Sequence, residues 1–320
     1  QTNPAKFALY VLFFPQIVQG PIPRYDRLAG QLYTGHAFCE KTVVRGFYRI
    51  LWGFFLKLMI ADRAAVVVDE IFDLPHQYVG CYVLVAGVLY SIQLYADFAA
   101  CISISKGVSN LFGIELADNF CHPYLAVSVK DFWHRWHMSL SEWLKDYIYI
   151  PLGGSRKGRI RTFINLILTF AVSGIWHGAG LRFVVWGLLH AAYQIAGQLT
   201  ANLQRRAAGL LKLDEAMEVK IWIRRIWTFL CVMVAWIIFR AENLRTGLQM
   251  IGSMFRVRNV WIFTNDALLS LGLDWKEWLV LMVSILLLWL VSMKQEKGVA
   301  FSEVIFRQPF YIKWALYLVV

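Results

Sequence analysis

The run Asp131-Phe-Trp-His134-Arg-Trp-His137-Met-Ser-Leu-Ser141-Glu-Trp-Leu-Lys-Asp146-Tyr147 continues through Ile150-Pro-Leu-Gly153-Gly-Ser-Arg-Lys-Gly158-Arg159. It closes on Ser173-Gly-Ile-Trp-His177-Gly-Ala-Gly180. Histidines, carboxylates and arginines stand here among tryptophans and membrane-grade apolar sequence. An ionisable group inside a bilayer is costly, so its default reading is a functional site. The stretch thus points to a helical membrane fold and to the place within it where chemistry is expected.

The rest of the chain agrees. Of its 320 residues 58% are hydrophobic and 17% charged, against about 45–50% and about 25% in an average soluble domain. Fourteen tryptophans and fourteen tyrosines suit a protein with two membrane interfaces, where amphipathic rings concentrate. The net charge of +11 is better explained by basic cytoplasmic loops than by nucleic acid, and no nucleic-acid partner is expected. The five cysteines have neither metal-ligand nor redox spacing and read as mostly buried free thiols.

Apolar runs bounded by charges give the candidate spans. Phe7–Gly20 is short and contains Pro15, which predicts a broken or re-entrant helix. Val43–Ile60 is a span interrupted by Arg45, Arg49 and Lys57. Gly80–Ala100, Arg161–Gly180, Phe183–Leu199, Ile226–Phe239 and Trp278–Met293 follow. Ser128–Ile150 reads as one amphipathic helix at an interface or dipping into the bundle. The expected fold class is all-α: a polytopic helical membrane protein with broken or re-entrant helices around a central cavity. One membrane-embedded domain is expected over residues 1–320. Gln1 is not an initiator methionine, and the last apolar run, Phe310–Val320, is shorter than the about 20 residues a span requires. We therefore expect a fragment cut at both ends.

Loop charges set an orientation. Residues 62–78 hold one arginine against Asp62, Asp69, Glu70 and Asp73, and are expected outside. Residues 201–225, with Arg205, Arg206, Lys212, Lys220, Arg224 and Arg225, are expected inside, as are Arg156, Lys157, Arg159 and Arg161. The 240–277 segment then falls outside with five basic residues, against the rule.

Several residues could carry chemistry. His177 lies among glycines 174, 178 and 180, which leave room for a substrate. A neutral imidazole there can take a proton from a hydroxyl. It can equally be a buried histidine bonded to a carbonyl. His134 and His137 are three apart, and on a continuous helix they would share one face with Asp131. A His-x-x-His pair with a carboxylate suggests metal, but the remaining histidines at 36, 76, 122 and 190 are dispersed, and no metal site is expected. Asp131, Arg135, Glu142, Lys145 and Asp146 read as a structural charge network. Pro151–Arg159 could cradle phosphates, but it lacks the phosphate-loop pattern and reads better as a basic cytoplasmic turn. His190 could line the His177 cavity or pack in the core.

DFWHRWHMSLSEWLKDYIYIPLGG (131–154) and SGIWHGAG (173–180) resemble the membrane-bound O-acyltransferase family, in particular its bacterial polysaccharide branch, typified by alginate O-acetylation. FFPQIVQGPIPRY (13–25) and LYADFAACISISKGVSNLFGIEL (94–116) are similar to that branch too, and the resemblance runs from about Phe13 to His190. It implies that His177 is the catalytic histidine and His137 the second polar residue of the active site, with no catalytic part for His134. It implies an acyl thioester donor, acetyl-CoA or another, as substrate, with no bound cofactor and no residue assigned to hold one. The acceptor would be a hydroxyl of an exported cell-surface polysaccharide, reached directly or through a separate extracytoplasmic acetyltransferase. The setting would be the cell (inner) membrane. Transfer of D-alanine to teichoic acid is a sibling reading. A proton-coupled transporter using the intramembrane histidines is a reading from another class.

Overall fold

A computed structural model describes residues 3–17, 19–210, 217–299, 304, 308 and 309. The expected terminal run Phe310–Val320 lies outside the described residues. All regular structure among the described residues is helical. In chain order come α1 (Pro4–Val11), α2 (Phe14–Ile17), α3 (Tyr25–Tyr33) and α4 (Glu40–Phe55), which passes through a π-helical turn, Leu56–Ala61, into α5 (Asp62–Asp73). α6 (Cys81–Leu111), α7 (Val129–Arg135) and α8 (Met138–Leu144) follow, with a second π-helical turn at Lys145–Tyr149. The remainder is α9 (Arg159–His177), α10 (Leu181–Leu210), α11 (Glu218–Arg240), α12 (Leu244–Arg256) and α13 (Trp275–Glu296). α6, α9, α11 and α13 are long and apolar enough to cross a membrane, whose hydrocarbon core is about 30 Å thick. The chain is a multi-pass helical membrane protein.

The chain divides into two compact units. The first comprises Gln1–Ala65, Ile92–Asn119 and Leu273–Val320. Its helix is broken between α1 and α2, just before Pro15, as the sequence predicts. Phe13, Leu28, Ile114 and Leu116 form a buried cluster there. The charges that interrupt the expected span Val43–Ile60 are paired. Arg49 donates to Asn110 Oδ1 at 2.6 Å and to Glu115 Oε1 at 2.8 Å, and Lys57 Nζ lies 2.8 Å from carboxylate oxygens of both Asp62 and Asp97.

The second unit comprises Val66–Ser91 and Phe120–Gly272. Its centre is a hairpin of α9 and α10, joined by the three residues Gly178–Gly180. The two helices touch through backbone. A Cβ on Gly174 would stand 2.3 Å from the Phe183 carbonyl oxygen, and one on Gly187 2.1 Å from that of Phe170. Small residues at such positions let membrane helices approach closely. α7 and α11 pack on this hairpin, burying Phe132, Trp133, Trp186, Met233, Trp236 and Ile237.

Four expectations need correction. Residues 62–78 are not a loop; they are helical to Asp73, because Val67, Val68, Ile71 and Phe72 supply a face that is buried. The expected 201–225 loop is shorter, since α10 runs to Leu210 and α11 starts at Glu218. Ser128–Ile150 is not one helix but two short ones with a break at Trp136–His137. None of the cysteines is buried: Cys39 and Cys121 are exposed and the others partly so.

Candidate active site

The break between α7 and α8 sets the position of His137. Ser128 starts α7 by accepting the Asp131 N–H at 3.0 Å, a serine N-cap. Asp131 turns its carboxylate back to the Val127 N–H at 3.0 Å and receives Arg135 Nε at 2.9 Å. These three contacts hold α7 as a short helix of about two turns. The Trp136 N–H closes its last turn onto the Phe132 carbonyl at 2.8 Å. His137 then takes φ 44°, ψ 54°, the left-handed region, and its carbonyl accepts the first amide of α8, from Ser141, at 3.0 Å. Left-handed backbone costs an L-residue other than glycine about 1–2 kcal/mol, and such outliers concentrate at functional sites.

The break separates the two neighbouring histidines. His134 is exposed while His137 is buried. The shared face expected from their spacing requires a continuous helix, and the helix is not continuous. Asp131 pairs with Arg135 as part of the structural network expected there. Among the described residues no three His, Cys, Asp or Glu side chains converge.

His177 ends α9. Three rings surround its imidazole almost at right angles: Trp176 at 4.8 Å between centroids, Trp186 at 5.2 Å and Phe239 at 5.3 Å. His137 also packs edge-to-face on Trp176, at 6.1 Å. The two imidazoles therefore share one indole. Trp176 itself is 55% exposed, so the pair has an open side. Gly178 gives the Phe183 ring its place: a Cβ there would stand 2.5 Å from that ring.

His190 lies behind Trp186, which it meets at 5.1 Å. It is fully buried, boxed by Trp133, Trp186, Trp236, Phe132, Phe170 and Tyr193. Both its ring nitrogens lack a hydrogen-bond partner among the described residues, as do the indole nitrogens of Trp133, Trp186 and Trp236. Ser173 Oγ, one turn before His177 on α9, is buried and unpartnered in the same way. His190 thus joins the site through a shared ring, Trp186, and is also core. Of the enclosing aromatics, Trp176 stands next to His177 in sequence. Trp186 and Phe239 come from α10 and α11, and no local pattern announces them.

The basic turn Pro151–Arg159 is anchored rather than loose. Asn165 of α9 donates to the Gly154 carbonyl at 2.8 Å, and Gly153, Gly154 and Gly158 take positive φ. Arg156, Lys157 and Arg159 remain exposed.

Residues 1–239 match the membrane-bound O-acyltransferase family. The chain is 38% identical over 79% of its length to a probable alginate O-acetylase of Pseudomonas putida, of which it covers 50%. It is 34% identical over 79% of its length to a peptidoglycan O-acetyltransferase of Helicobacter pylori, covering 47% of that protein. A teichoic acid D-alanyltransferase of Bacillus subtilis is 33% identical over 57% of this chain, with 48% of its own length covered. The chain thus spans about half the length of the curated relatives it matches.

Proposed function

The chain belongs to the membrane-bound O-acyltransferase family, and we propose that it transfers an acyl group, acetyl in particular, from a thioester such as acetyl-CoA to a hydroxyl. The observation that carries this reading is the packing of His137 and His177 on one indole, Trp176, in otherwise apolar surroundings. His177 takes the hydroxyl proton as the oxygen attacks the thioester carbonyl. The new C–O bond forms, the C–S bond breaks, and the proton passes from His177 to the leaving thiolate. The imidazolium formed on the way stands among the rings of Trp176, Trp186 and Phe239, and an aromatic face turned to it offsets part of the cost of desolvating the cation. His137 orients the hydroxyl or stabilises developing charge. The acceptor in this reading is an exported polysaccharide, served directly or through a separate extracytoplasmic transferase, and the setting is the inner membrane. Support for acetyl over D-alanyl transfer is that the O-acetylating relatives align with more of the chain.

Transfer of labelled acetyl from a thioester, assayed with the chain in proteoliposomes, tests the reading. His177→Ala should fold and insert but lose about 10²–10⁴ in rate, the usual contribution of a general base. His137→Ala should fall between that and wild type, and His134→Ala, an exposed residue, should stay near wild type. Proton-coupled uptake without transfer would assign a transporter instead. Full transfer by all three variants would remove the site.

A further inference from the structure

α12 is fixed by one face and open on the other. Gly247, Met250 and Ser253 are buried, and Ser253 Oγ accepts the Gly80 N–H at 3.0 Å. The Asn243 side chain caps the helix through the Thr246 N–H at 2.9 Å. Arg245, Gln249 and Arg256 fall on the open side, since steps of four and then seven residues return to nearly the same angle on an α-helix. With Leu181, Leu244 and Leu248 they line an open groove of about 590 Å³.

Three features mark this groove as a binding site. Its walls are tied together: Arg182, next to Leu181, lies over the Phe183 ring at 4.7 Å and donates to the carbonyls of Ala241 and Glu242 in the α11–α12 turn. Its cations are uncommitted: neither Arg245 nor Arg256 has an acidic partner among the described residues, and Arg256 makes one bond, Nε to the Gly252 carbonyl at 3.2 Å. Arg256 lies back along the helix because residue 252 is glycine; a Cβ there would stand 3.0 Å from Nη2. Finally, α12 exposes apolar side chains beside these arginines, Leu248 at 54% and Phe255 at 75%. Arginines beside an exposed phenylalanine and leucines on one short helix are the pattern of a membrane interface.

We propose that this groove binds an anionic phospholipid, with its phosphate on Arg245, Gln249 and Arg256 and its acyl chains along Leu181, Leu244, Leu248 and Phe255. Guanidinium groups suit phosphate oxygens. A wholly hydrophilic polyanion would satisfy the arginines and gain nothing from the leucines, whereas a lipid uses both. The site stands independently of the acyl-transfer reading.

The test is native mass spectrometry of the full chain with phosphatidylglycerol or phosphatidylcholine of identical acyl chains. Wild type should retain phosphatidylglycerol in preference. Arg245→Gln with Arg256→Gln should weaken it about 30-fold, from about 1 kcal/mol per lost cation, down to the level of phosphatidylcholine. Arg245→Lys with Arg256→Lys should keep most of the preference, and a circular-dichroism melt should show the glutamine variant folded. Equal retention of both lipids by wild type overturns the proposal, as does an unchanged preference in the folded glutamine variant. Stoichiometric displacement of the lipid by an acidic oligosaccharide would assign the groove to a glycan instead and overturn it too.

Discussion

At the scale of the residue, His137 combines three things a sequence does not display together: burial, a left-handed backbone, and a ring set against Trp176. The φ of 44° has a consequence that separates backbone from side chain. His137→Ala keeps the left-handed cost and loses the imidazole contacts. His137→Gly loses the same contacts and relieves a cost of about 1–2 kcal/mol. The glycine variant should therefore melt above the alanine variant in the same detergent, by an amount corresponding to about 1 kcal/mol, although an alanine normally exceeds a glycine next to a helix. Both should be equally impaired in acyl transfer, since both lack the ring. An alanine variant that melts as high as the glycine variant would mean that residue 137 does not need the left-handed conformation. His190 shows the opposite kind of residue-scale fact. Its two unpartnered nitrogens and full burial arise from α7, α9, α10 and α11 together, so sequence reading could only leave it between cavity and core.

At the scale of the element, the α9–α10 hairpin positions the site. Its closeness rests on Gly174 and Gly187, where a Cβ would collide with carbonyl oxygens that cannot swing away as a side chain can. Gly187→Ala should lower stability by about 1–3 kcal/mol, the usual cost of overpacking, and should reduce transfer because α10 also carries Trp186, a wall of the His177 cage. Gly197→Ala on the same helix meets nothing within 4 Å and should be neutral or slightly stabilising, as Ala is the better helix former. Matched thermal melts of the two variants check this, and a Gly187→Ala protein as stable as Gly197→Ala would dismiss the backbone contact. Much at this scale was legible. The apolar runs give both ends of α9 and α13 closely, they locate α6 and α11 but miss the continuation of α6 to Leu111 and the start of α11 at Glu218, and Pro15 gives the broken entry helix. What was not legible has a physical reason. The α7–α8 break occurs without proline or glycine, in a run of good periodicity, so tertiary packing of Trp136 and His137 overrides the local pattern. The helical 62–73 segment carries enough charge to look like a loop, while Ala64, Val67, Val68, Ile71 and Phe72 are buried along one face.

At the scale of the whole molecule, the open question is which side each end of the helices faces, and contacts within the second unit bear on it. Arg240, the last residue of α11, reaches Asp69 at 2.6 Å and Asp73 at 3.9 Å and lies over Phe72 at 5.4 Å. The acidic segment expected outside is therefore level with the C-terminal end of α11. The basic cluster Lys220, Arg224 and Arg225 is at the other end of that helix, whose 23 residues rise about 34 Å, more than the about 30 Å of a bilayer core. The five basic residues from 240 to 277 count against this orientation by charge alone, but they are not all free loop charges. Arg240 is paired with Asp69, and Arg245 and Arg256 line the α12 groove. We therefore expect residues 62–78 outside and 205–225 in the cytoplasm. Single cysteines, Asp73→Cys and Arg206→Cys, decide it against a membrane-impermeant maleimide. The background must have Cys39 and Cys121 replaced by serine, because both are exposed and would react. The Asp73→Cys protein should label in intact cells and the Arg206→Cys protein only after the membrane is opened. Labelling of both from one side would break the link between the Arg240–Asp69 pair and the charge rule, and the orientation of the His177 site would have to be rebuilt from the helix ends.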